Sequence, residues 1–292
     1  MDIKEIRIEE LNSIADYRAC EELQQRVWQS EPRDVVPLHV LITSQRHGGL
    51  VLGAFDANRN MIGCLFGFPG QVAEGNPAAG GTRWQHCSHL AGVAPEWRGR
   101  GVGYQLKLAQ REWALRQGYE VITWTYDPLE APNAMLNLGK LGAVCRCYLR
   151  SFYGEMSDGL NAGLPSDRFE VAWWIDSPRV RKRVEQGWLS PQIDSLLKQG
   201  AMVANEAAPR RDGLLEPRAV KPLNGERALV EMPAQFQAIK SADLGLALAW
   251  RLNLREACEA AFGAGYTCTD VVRAGDNGGR RLYYLLEQTP MA

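Results

Sequence analysis

The stretch PEWRGRGVGYQ, residues 95–105, holds three glycines at alternate positions with arginines among them. Glycine disfavours helix and accepts backbone conformations and close approaches that other residues cannot. A strand is predicted over 84–93 before it, and an amphipathic helix over 103–117 after it. This order favours a backbone loop shaped to meet a ligand. A surface turn in which the glycines only provide curvature is the alternative.

The start of the predicted helix offers unpaired N–H groups and a partial positive charge, which suit a diphosphate. Glycines at 99, 101 and 103 remove side chains that would block the approach, and Arg98 and Arg100 add charge. The loop does not end in Gly-Lys-Ser/Thr, as a nucleotide P-loop does. Its spacing also differs from the Gly-x-Gly-x-x-Gly of dinucleotide folds.

The composition excludes several classes of protein. The 292 residues are 46% apolar and 23% charged with a formal net charge of −1, which is typical of a soluble globular protein. That charge supports neither a nucleic-acid nor a membrane partner, and no apolar run reaches the length of a membrane span. Seven cysteines without C-x-x-C spacing predict reduced thiols in the cytoplasm and no metal site.

Hydrophobic periodicity predicts one α/β domain over 1–176, a linker with one or two helices over 177–222, and a β-α-β-β region over 223–292. The last region echoes the closing half of the first domain. In the first domain we predict strands at 3–8, 50–55, 62–68, 84–93, 121–126, 143–148 and 169–175, and helices at 10–28, 103–117 and 133–140. In the last region we predict strands at 227–232, 266–272 and 281–287 and a helix at 243–262.

Arg98-x-x-Gly101-x-Gly103, with Leu90–Pro95 before it and the amphipathic helix after it, resembles motif A of the GNAT acyl-CoA N-acyltransferases. The resemblance covers about residues 3–155. It implies a mixed α/β sheet in which the fourth strand splays from the fifth, and acetyl-CoA as the co-substrate. The implied acetyl-CoA contacts are Ala91, Gly92, Val93, Arg98, Gly99, Arg100, Gly101, Val102, Gly103 and Asn133.

The resemblance also implies a general base on the fourth strand, at His89 or Cys87. A histidine is the better base near neutral pH, so we predict His89. A buried, hydrogen-bonded strand histidine is the alternative. His86 faces the other way by strand alternation and ranks lower.

The general acid departs from the family pattern. The usual tyrosine position in the helix after the fifth strand is Leu138 here. Tyr126, Tyr148 and Tyr153 are substitutes, as is solvent. We predict Tyr148, with core packing as the alternative role.

The expected function is acetyl-CoA-dependent N-acyl transfer to a small amine or amino-acid-like acceptor. The sequence is compatible with a homodimer as well as with a monomer. Two other functions are weighed: an acyl-CoA-binding regulatory protein without turnover, and an acyltransferase for a peptide or carrier-linked substrate.

Overall fold

The computed structural model describes residues 6–29, 31–72, 84–156, 158–275 and 281–288. The fold is a mixed α/β fold, which confirms the predicted class. The strands are β1 (Arg7–Glu10), β2 (Leu50–Phe55), β3 (Met61–Gln71), β4 (Trp84–Val93), β5 (Val121–Tyr126), β6 (Val144–Leu149), β7 (Arg168–Trp174), β8 (Met202–Asn205), β9 (Ala207–Pro209), β10 (Leu215–Pro217), β11 (Arg227–Met232), β12 (Thr267–Ala274) and β13 (Arg281–Glu287). The helices are α1 (Ile14–Trp28), α2 (Leu38–Arg46), α3 (Val102–Arg116), α4 (Ala131–Ala134) with a π-helical turn (Met135–Lys140), α5 (Pro178–Gln186), α6 (Ile193–Lys198), α7 (Phe236–Ala242) and α8 (Leu244–Gly263).

The chain forms two compact units. The first comprises Met1–Trp124, Ser157–Ala162 and Trp174–Asp176, and the second comprises Thr125–Met156, Gly163–Trp173 and Ser177–Ala292. These units are defined by contacts in space. Their boundaries along the chain differ from those of the three predicted sequence segments. The division at 176 and 222 therefore stays a prediction about the chain.

In the first unit the strand order is β1-β2-β3-β4-β5. The pairs from β1 to β4 are antiparallel, and β4 runs parallel to β5. Two glycines show which helix covers each face. A Cβ at Gly92 would lie 2.8 Å from Trp28 of α1, and a Cβ at Gly63 would lie 3.1 Å from Val102 of α3. Helices α1 and α3 thus pack on opposite faces of this sheet.

The N-terminal elements differ from the prediction at their limits. Strand β1 begins at Arg7, and residues 3–5 of the predicted strand lie outside the described residues. Helix α1 begins at Ile14 because the Ser13 hydroxyl accepts from the Asp16 amide and caps the first turn. Helix α2 was not predicted. Its single fully buried residue, Leu41, gives a weak periodic signal.

The second unit is built on strands in the order β7-β6-β12-β13-β11-β8. Strand β13 lies between β12 and β11 and is antiparallel to both. The predicted echo of the closing half of the first domain stays a prediction. The prediction of helices and linker for 177–222 was wrong in part, because that segment also forms β8 and the β9–β10 hairpin.

All seven cysteines are free thiols. Among the described helices, none combines the length and apolarity needed to cross a membrane.

Candidate functional site

The parallel pair β4–β5 stays together for a short distance. Its register comprises His86 opposite Ile122 and Cys87 opposite Thr123. Beyond that point β4 remains paired with β3 through Val93. Among the described residues, no strand is paired with residues 88–93 of β4 on the side away from β3, and we call this free strand edge the β4–β5 opening.

The backbone of β4 presents hydrogen-bonding groups to this opening. The Ala94 amide donates to the Ile62 carbonyl of β3 at 2.9 Å. Hydrogen-bonding direction alternates along an antiparallel strand, so Gly92 bonds toward β3 while Ala91 and Val93 turn their N–H and C=O groups the other way. These groups can pair with an extended ligand, as a sheet edge does.

A bulge interrupts β4 at the inner end of the opening. Phe66 pairs with Leu90 and Phe68 pairs with Cys87, so Ser88 and His89 together oppose Gly67. Such a bulge changes the direction of the side chains around it.

The glycine loop joins β4 to α3 without blocking the helix start. Gly99 and Gly101 have φ of +75° and +83°, conformations that favour glycine. Gly101 is the N-cap of α3, and no side chain caps the helix. A Cβ at Gly99 or Gly101 would meet nothing within 4 Å. The space in front of the helix start is therefore open.

The first helical bond of α3 runs from the Gln105 amide to the Gly101 carbonyl at 3.0 Å. The amides of Val102, Gly103 and Tyr104 precede it and have no partner within the helix. The helix start therefore combines free N–H groups, a positive dipole end and open space, which are the features that bind phosphate.

The two arginines of the loop make contacts within the protein. The Arg98 guanidinium donates to the carbonyls of Val93 at 3.3 Å and Val27 at 3.0 Å, which ties the end of β4 to the end of α1. Arg100 lies 5.1 Å from the ring centroid of Trp97. Their predicted contacts with phosphate stay predictions.

His89 is exposed on the α1 side of β4. Its ring lies 5.9 Å from those of Phe66 and Phe68, and both phenylalanines pack against the α1 core. Although the residue as a whole is exposed, desolvation of its ring lowers the pKa of His89 from 6.5. The ring is therefore neutral at pH 7 and able to accept a proton.

The α3 side of β4 holds a buried polar cluster that the sequence analysis missed. Lys107 is 3% exposed, and its Nζ donates to Ser88 Oγ at 2.8 Å and to Gln110 Oε1 at 3.2 Å. The Lys107 ammonium also lies 3.8 Å from the ring centroid of Trp124. Burial lowers the pKa of Lys107 from 10.5 to about 7. We call Ser88, Lys107 and Gln110 the lysine cluster.

His86 is fully buried next to this cluster and contacts the rings of Trp113 and Tyr119 at 5.0 and 5.5 Å. Burial, with a smaller contribution from Lys107, lowers the pKa of His86 to about 3. Neither ring nitrogen of His86 has a hydrogen-bond partner, nor does Nε2 of Gln110. Buried polar atoms without partners are rare, which marks this region as unusual.

Tyr148 lies in the second unit. Its hydroxyl donates to Asp167 at 2.8 Å, and Arg255 holds the same carboxylate through two hydrogen bonds of 2.8 and 2.9 Å. Burial and the Asp167 charge raise the pKa of Tyr148. Its predicted role as an acid stays a prediction, and its visible role is in this ion-pair network.

The other residues considered in the second unit have different surroundings. Tyr126 is buried and hydrogen-bonded to Tyr284 at 3.3 Å, whereas Tyr153 is exposed and hydrogen-bonded to Thr125 at 2.9 Å. Asn133 is exposed in α4, and its predicted cofactor contact stays a prediction. The side chain of Leu138 is completely buried.

No family model and no curated protein matches the chain. Several solved structures are similar to part of it. One is the ribosomal-protein-S18-alanine N-acetyltransferase from Escherichia coli, with 17% identity and a TM-score of 0.44 over 59% of this chain and 95% of that one. A second is a putative acetyltransferase of the GNAT family from Desulfovibrio desulfuricans, with 15% identity and a TM-score of 0.44 over 58% and 99%. A third is an acetyltransferase of the GNAT family from Streptococcus pneumoniae, with 16% identity and a TM-score of 0.45 over 57% and 98%.

Proposed function

We propose that this chain is an acyl-CoA-dependent N-acyltransferase that uses acetyl-CoA and acetylates a small amine or amino-acid-like acceptor by direct transfer. The observation that carries the proposal is the continuity of two features. The β4–β5 opening leads directly, through glycines in open space, to the uncapped start of α3.

Each feature suits one part of the donor. The amides at 102–104 and the glycine backbone suit the pyrophosphate of coenzyme A. The pantetheine arm carries amide groups, and Ala91 and Val93 turn matching backbone groups toward the opening. The Val93 carbonyl is shared with Arg98, so its amide is the more available partner.

The transfer requires an amine that has lost a proton, because an ammonium has no lone pair. His89 is a neutral, exposed base at the bulge of β4, on the side that α1 covers. Proton acceptance by His89 makes the rate rise with pH through the lowered pKa of His89.

Acidic groups on α1 support a cationic amine as the acceptor. A groove in the first unit is lined by Arg18, Glu21 and Glu22 of α1 and by the loop before α2, so its charged lining has two carboxylates and one guanidinium. The Glu21 carboxylate already accepts from the Leu38 amide at 2.7 Å, which leaves Glu22 as the freer charge.

The second candidate function is an acyl-CoA-binding regulatory protein without turnover. Leu138 favours it, because this apolar side chain is completely buried at the position where the resemblance implies an acidic tyrosine.

One experiment separates the two functions. Acetyl-CoA is incubated with a panel of amines, including polyamines and amino acids, with and without the protein, and the protein-dependent release of free thiol is followed. We expect turnover with at least one amine. Binding of acetyl-CoA in calorimetry without thiol release from any amine would support the regulatory protein instead.

The base is tested with His89→Ala. We expect kcat to fall about 100-fold and the acidic limb of the pH–rate profile to disappear. His47→Ala is the matched control, because His47 is the C-cap residue of α2 and does not belong to β4 or to the glycine loop. An unchanged acidic limb in His89→Ala would remove His89 from the mechanism.

A further inference from the structure

The lysine cluster lies where the hydrogen-bonded ladder between β4 and β5 ends. The last pair of that ladder is Cys87 opposite Thr123, and each further step along two parallel strands advances one residue in both. The next pair would therefore be Ser88 of β4 and Trp124 of β5, which is the first position outside the ladder. Lys107 of α3 contacts both of these side chains.

The three partners of Lys107 suit an ammonium group. An ammonium has three N–H groups, and around it lie Ser88 Oγ at 2.8 Å, Gln110 Oε1 at 3.2 Å and the ring of Trp124, with its centroid at 3.8 Å. A ring face attracts a cation and gives little to a neutral amine. The contact with β5 therefore depends on the charge of Lys107, whereas a neutral amine can still share a hydrogen bond with Ser88.

One buried side chain thus ties helix α3 to both strands at the point where they part. Ser88 precedes His89 in the bulge, and the free edge of β4 follows. Because the strands diverge from this point, a small change in the spacing of Ser88 and Trp124 becomes a larger change farther along the opening. The contacts of Lys107 are therefore placed to set the width of the β4–β5 opening.

We propose that Lys107 is a positioning residue for the donor: its ammonium holds Ser88 and Trp124 at the separation of β4 and β5 in which the donor binds. The inference rests on the proposed acyltransferase function, because it takes the donor to occupy the opening. Lys107 itself touches neither substrate and acts through the two strands.

Donor binding is then coupled to the proton on Lys107. Burial lowers the pKa of Lys107 from 10.5 to about 7, so the ammonium is lost as the pH rises through that value. The attraction to the Trp124 ring is lost with it, and the affinity for the donor falls. Because such coupling is reciprocal, the bound donor must raise the pKa of Lys107.

Titratable groups face Lys107 from β4 and lie beside it on α3. On β4, Cys87 raises the pKa of Lys107, and burial keeps His86 neutral by lowering its pKa to about 3. On α3, Tyr104 lies one turn before Lys107, and burial raises its pKa, so it also stays neutral. The partner from β5, Trp124, carries no charge.

Calorimetry with 3′-dephospho-CoA tests the coupling. This ligand keeps the diphosphate and the pantetheine arm but lacks the phosphate that titrates near neutral pH. In the wild type we expect the Kd to increase about tenfold from about pH 6 to 8.5. Lys107→Met should bind with the weaker affinity at both values. Lys198→Met changes an exposed lysine of α6, and as the matched control it should keep the wild-type dependence.

Trp124→Leu separates positioning from attraction of the phosphates by the lysine charge. It removes the contact with β5 and leaves the ammonium in place. If Lys107 positions the strands, the affinity at about pH 6 should fall about tenfold, whereas attraction by charge alone predicts no loss. Trp84→Leu, which changes an exposed tryptophan at the start of β4, is the control and should bind as the wild type does.

NMR titration of ¹³C-lysine-labelled wild type needs no variant at Lys107. The chain has seven lysines, and we expect one signal to titrate near pH 7 and to move to higher pH when 3′-dephospho-CoA is bound. A lysine that only stabilises the fold would keep the same pKa in both states.

Three results would overturn the positioning role while leaving the proposed function intact. They are a Lys107 pKa that the bound ligand leaves unchanged, a pH dependence of affinity that Lys107→Met retains, and wild-type affinity in Trp124→Leu. If the wild type bound neither 3′-dephospho-CoA nor acetyl-CoA, the proposed function itself would fail and the positioning role with it.

Discussion

Two parallel strand pairs, β4–β5 in the first unit and β8–β11 in the second, end in different ways. Where β4 leaves β5, the backbone of β4 faces an opening. Where β8 ends beside β11, the side chain of Asn205 fills the corresponding place. Its Oδ1 accepts from the Glu231 amide at 2.6 Å, and its Nδ2 donates to the Glu231 carbonyl at 3.0 Å.

The segments that follow β4 and β8 along the chain also differ. After β4 come the glycine loop and the uncapped helix α3. After β8 come the short strands β9 and β10, and the Glu231 carboxylate accepts from the Ala207 amide at 2.8 Å. The second pair is thus closed by the protein's own groups, whereas the free backbone edge of β4 is where we propose that the donor binds. We infer that the donor site belongs to the first pair alone.

The largest expected effect comes from Gly101→Val. The φ of +83° at this position strains any β-branched residue, and the side chain would stand in the space before α3. We expect the affinity for coenzyme A, measured by calorimetry, to fall about 100-fold or more.

Gly213→Val is the matched control for this loss. Gly213 has the same φ of +83° and the same open space, but it lies in the turn between β9 and β10. It should carry a similar backbone strain without loss of affinity. Retained affinity in Gly101→Val, or an equal loss in Gly213→Val, would contradict the assignment of the site to the first pair.

The sequence predicted the frame of the first pair well. The limits of β4 and β5 are those expected, because short apolar and β-branched runs end at turn-forming residues on both sides. The start of the helix was predicted within one residue, since α3 begins at Val102, after the N-cap Gly101, and the prediction began it at Gly103. Strand β8 was missed because its four residues lie in a polar, proline-containing segment and depend on pairing with β11.

The chemistry around the opening was less readable. The bulge at Ser88 and His89 results from pairing with Gly67, and no local periodicity indicates it. The sequence predicted an amphipathic helix over 103–117, yet the buried residues of α3 include the polar side chains of Lys107 and Gln110. The one available signal was their spacing from Trp113, three and six residues away on the same helical face. A lysine in an amphipathic helix is normally exposed, which is why periodicity alone hides this one.

The next effect concerns the closure of the second pair. Asn205→Leu leaves the Glu231 amide and carbonyl without partners and also removes a hydrogen bond of 2.7 Å to Asn253. We expect the free energy of unfolding to fall by about 2–4 kcal/mol in urea titration, with coenzyme A affinity unchanged. Asn224→Leu, at an exposed position, is the control and should be nearly neutral. A weakened affinity for coenzyme A in Asn205→Leu would show that the second pair takes part in donor binding.

The smallest effect is a difference in the pH dependence of stability. In the first pair, burial lowers the pKa of His86 to about 3, so the unfolded chain binds a proton that the folded chain does not. The contribution of neutral His86 to the free energy of unfolding is therefore present above pH 6.5. It is lost as the pH falls, and the loss is about 2 kcal/mol at pH 5. His86→Leu should therefore gain stability relative to wild type as the pH falls below 6.5.

In the second pair the sign is opposite. Burial raises the pKa of Glu231 above 4.5, although the Ala207 amide and Arg281 stabilise its charge. The folded chain then holds the proton more tightly than the unfolded chain, so stability from this group is lost as the pH rises through the raised pKa. The free energy of unfolding of Glu231→Gln minus that of wild type should therefore increase as the pH rises from 4.5. This sign does not depend on whether the variant is more or less stable than wild type at a given pH. Urea titrations of both variants from pH 4 to 8 measure the two slopes. Slopes of the same sign would mean that the buried polar groups of the two pairs are not tuned in opposite directions.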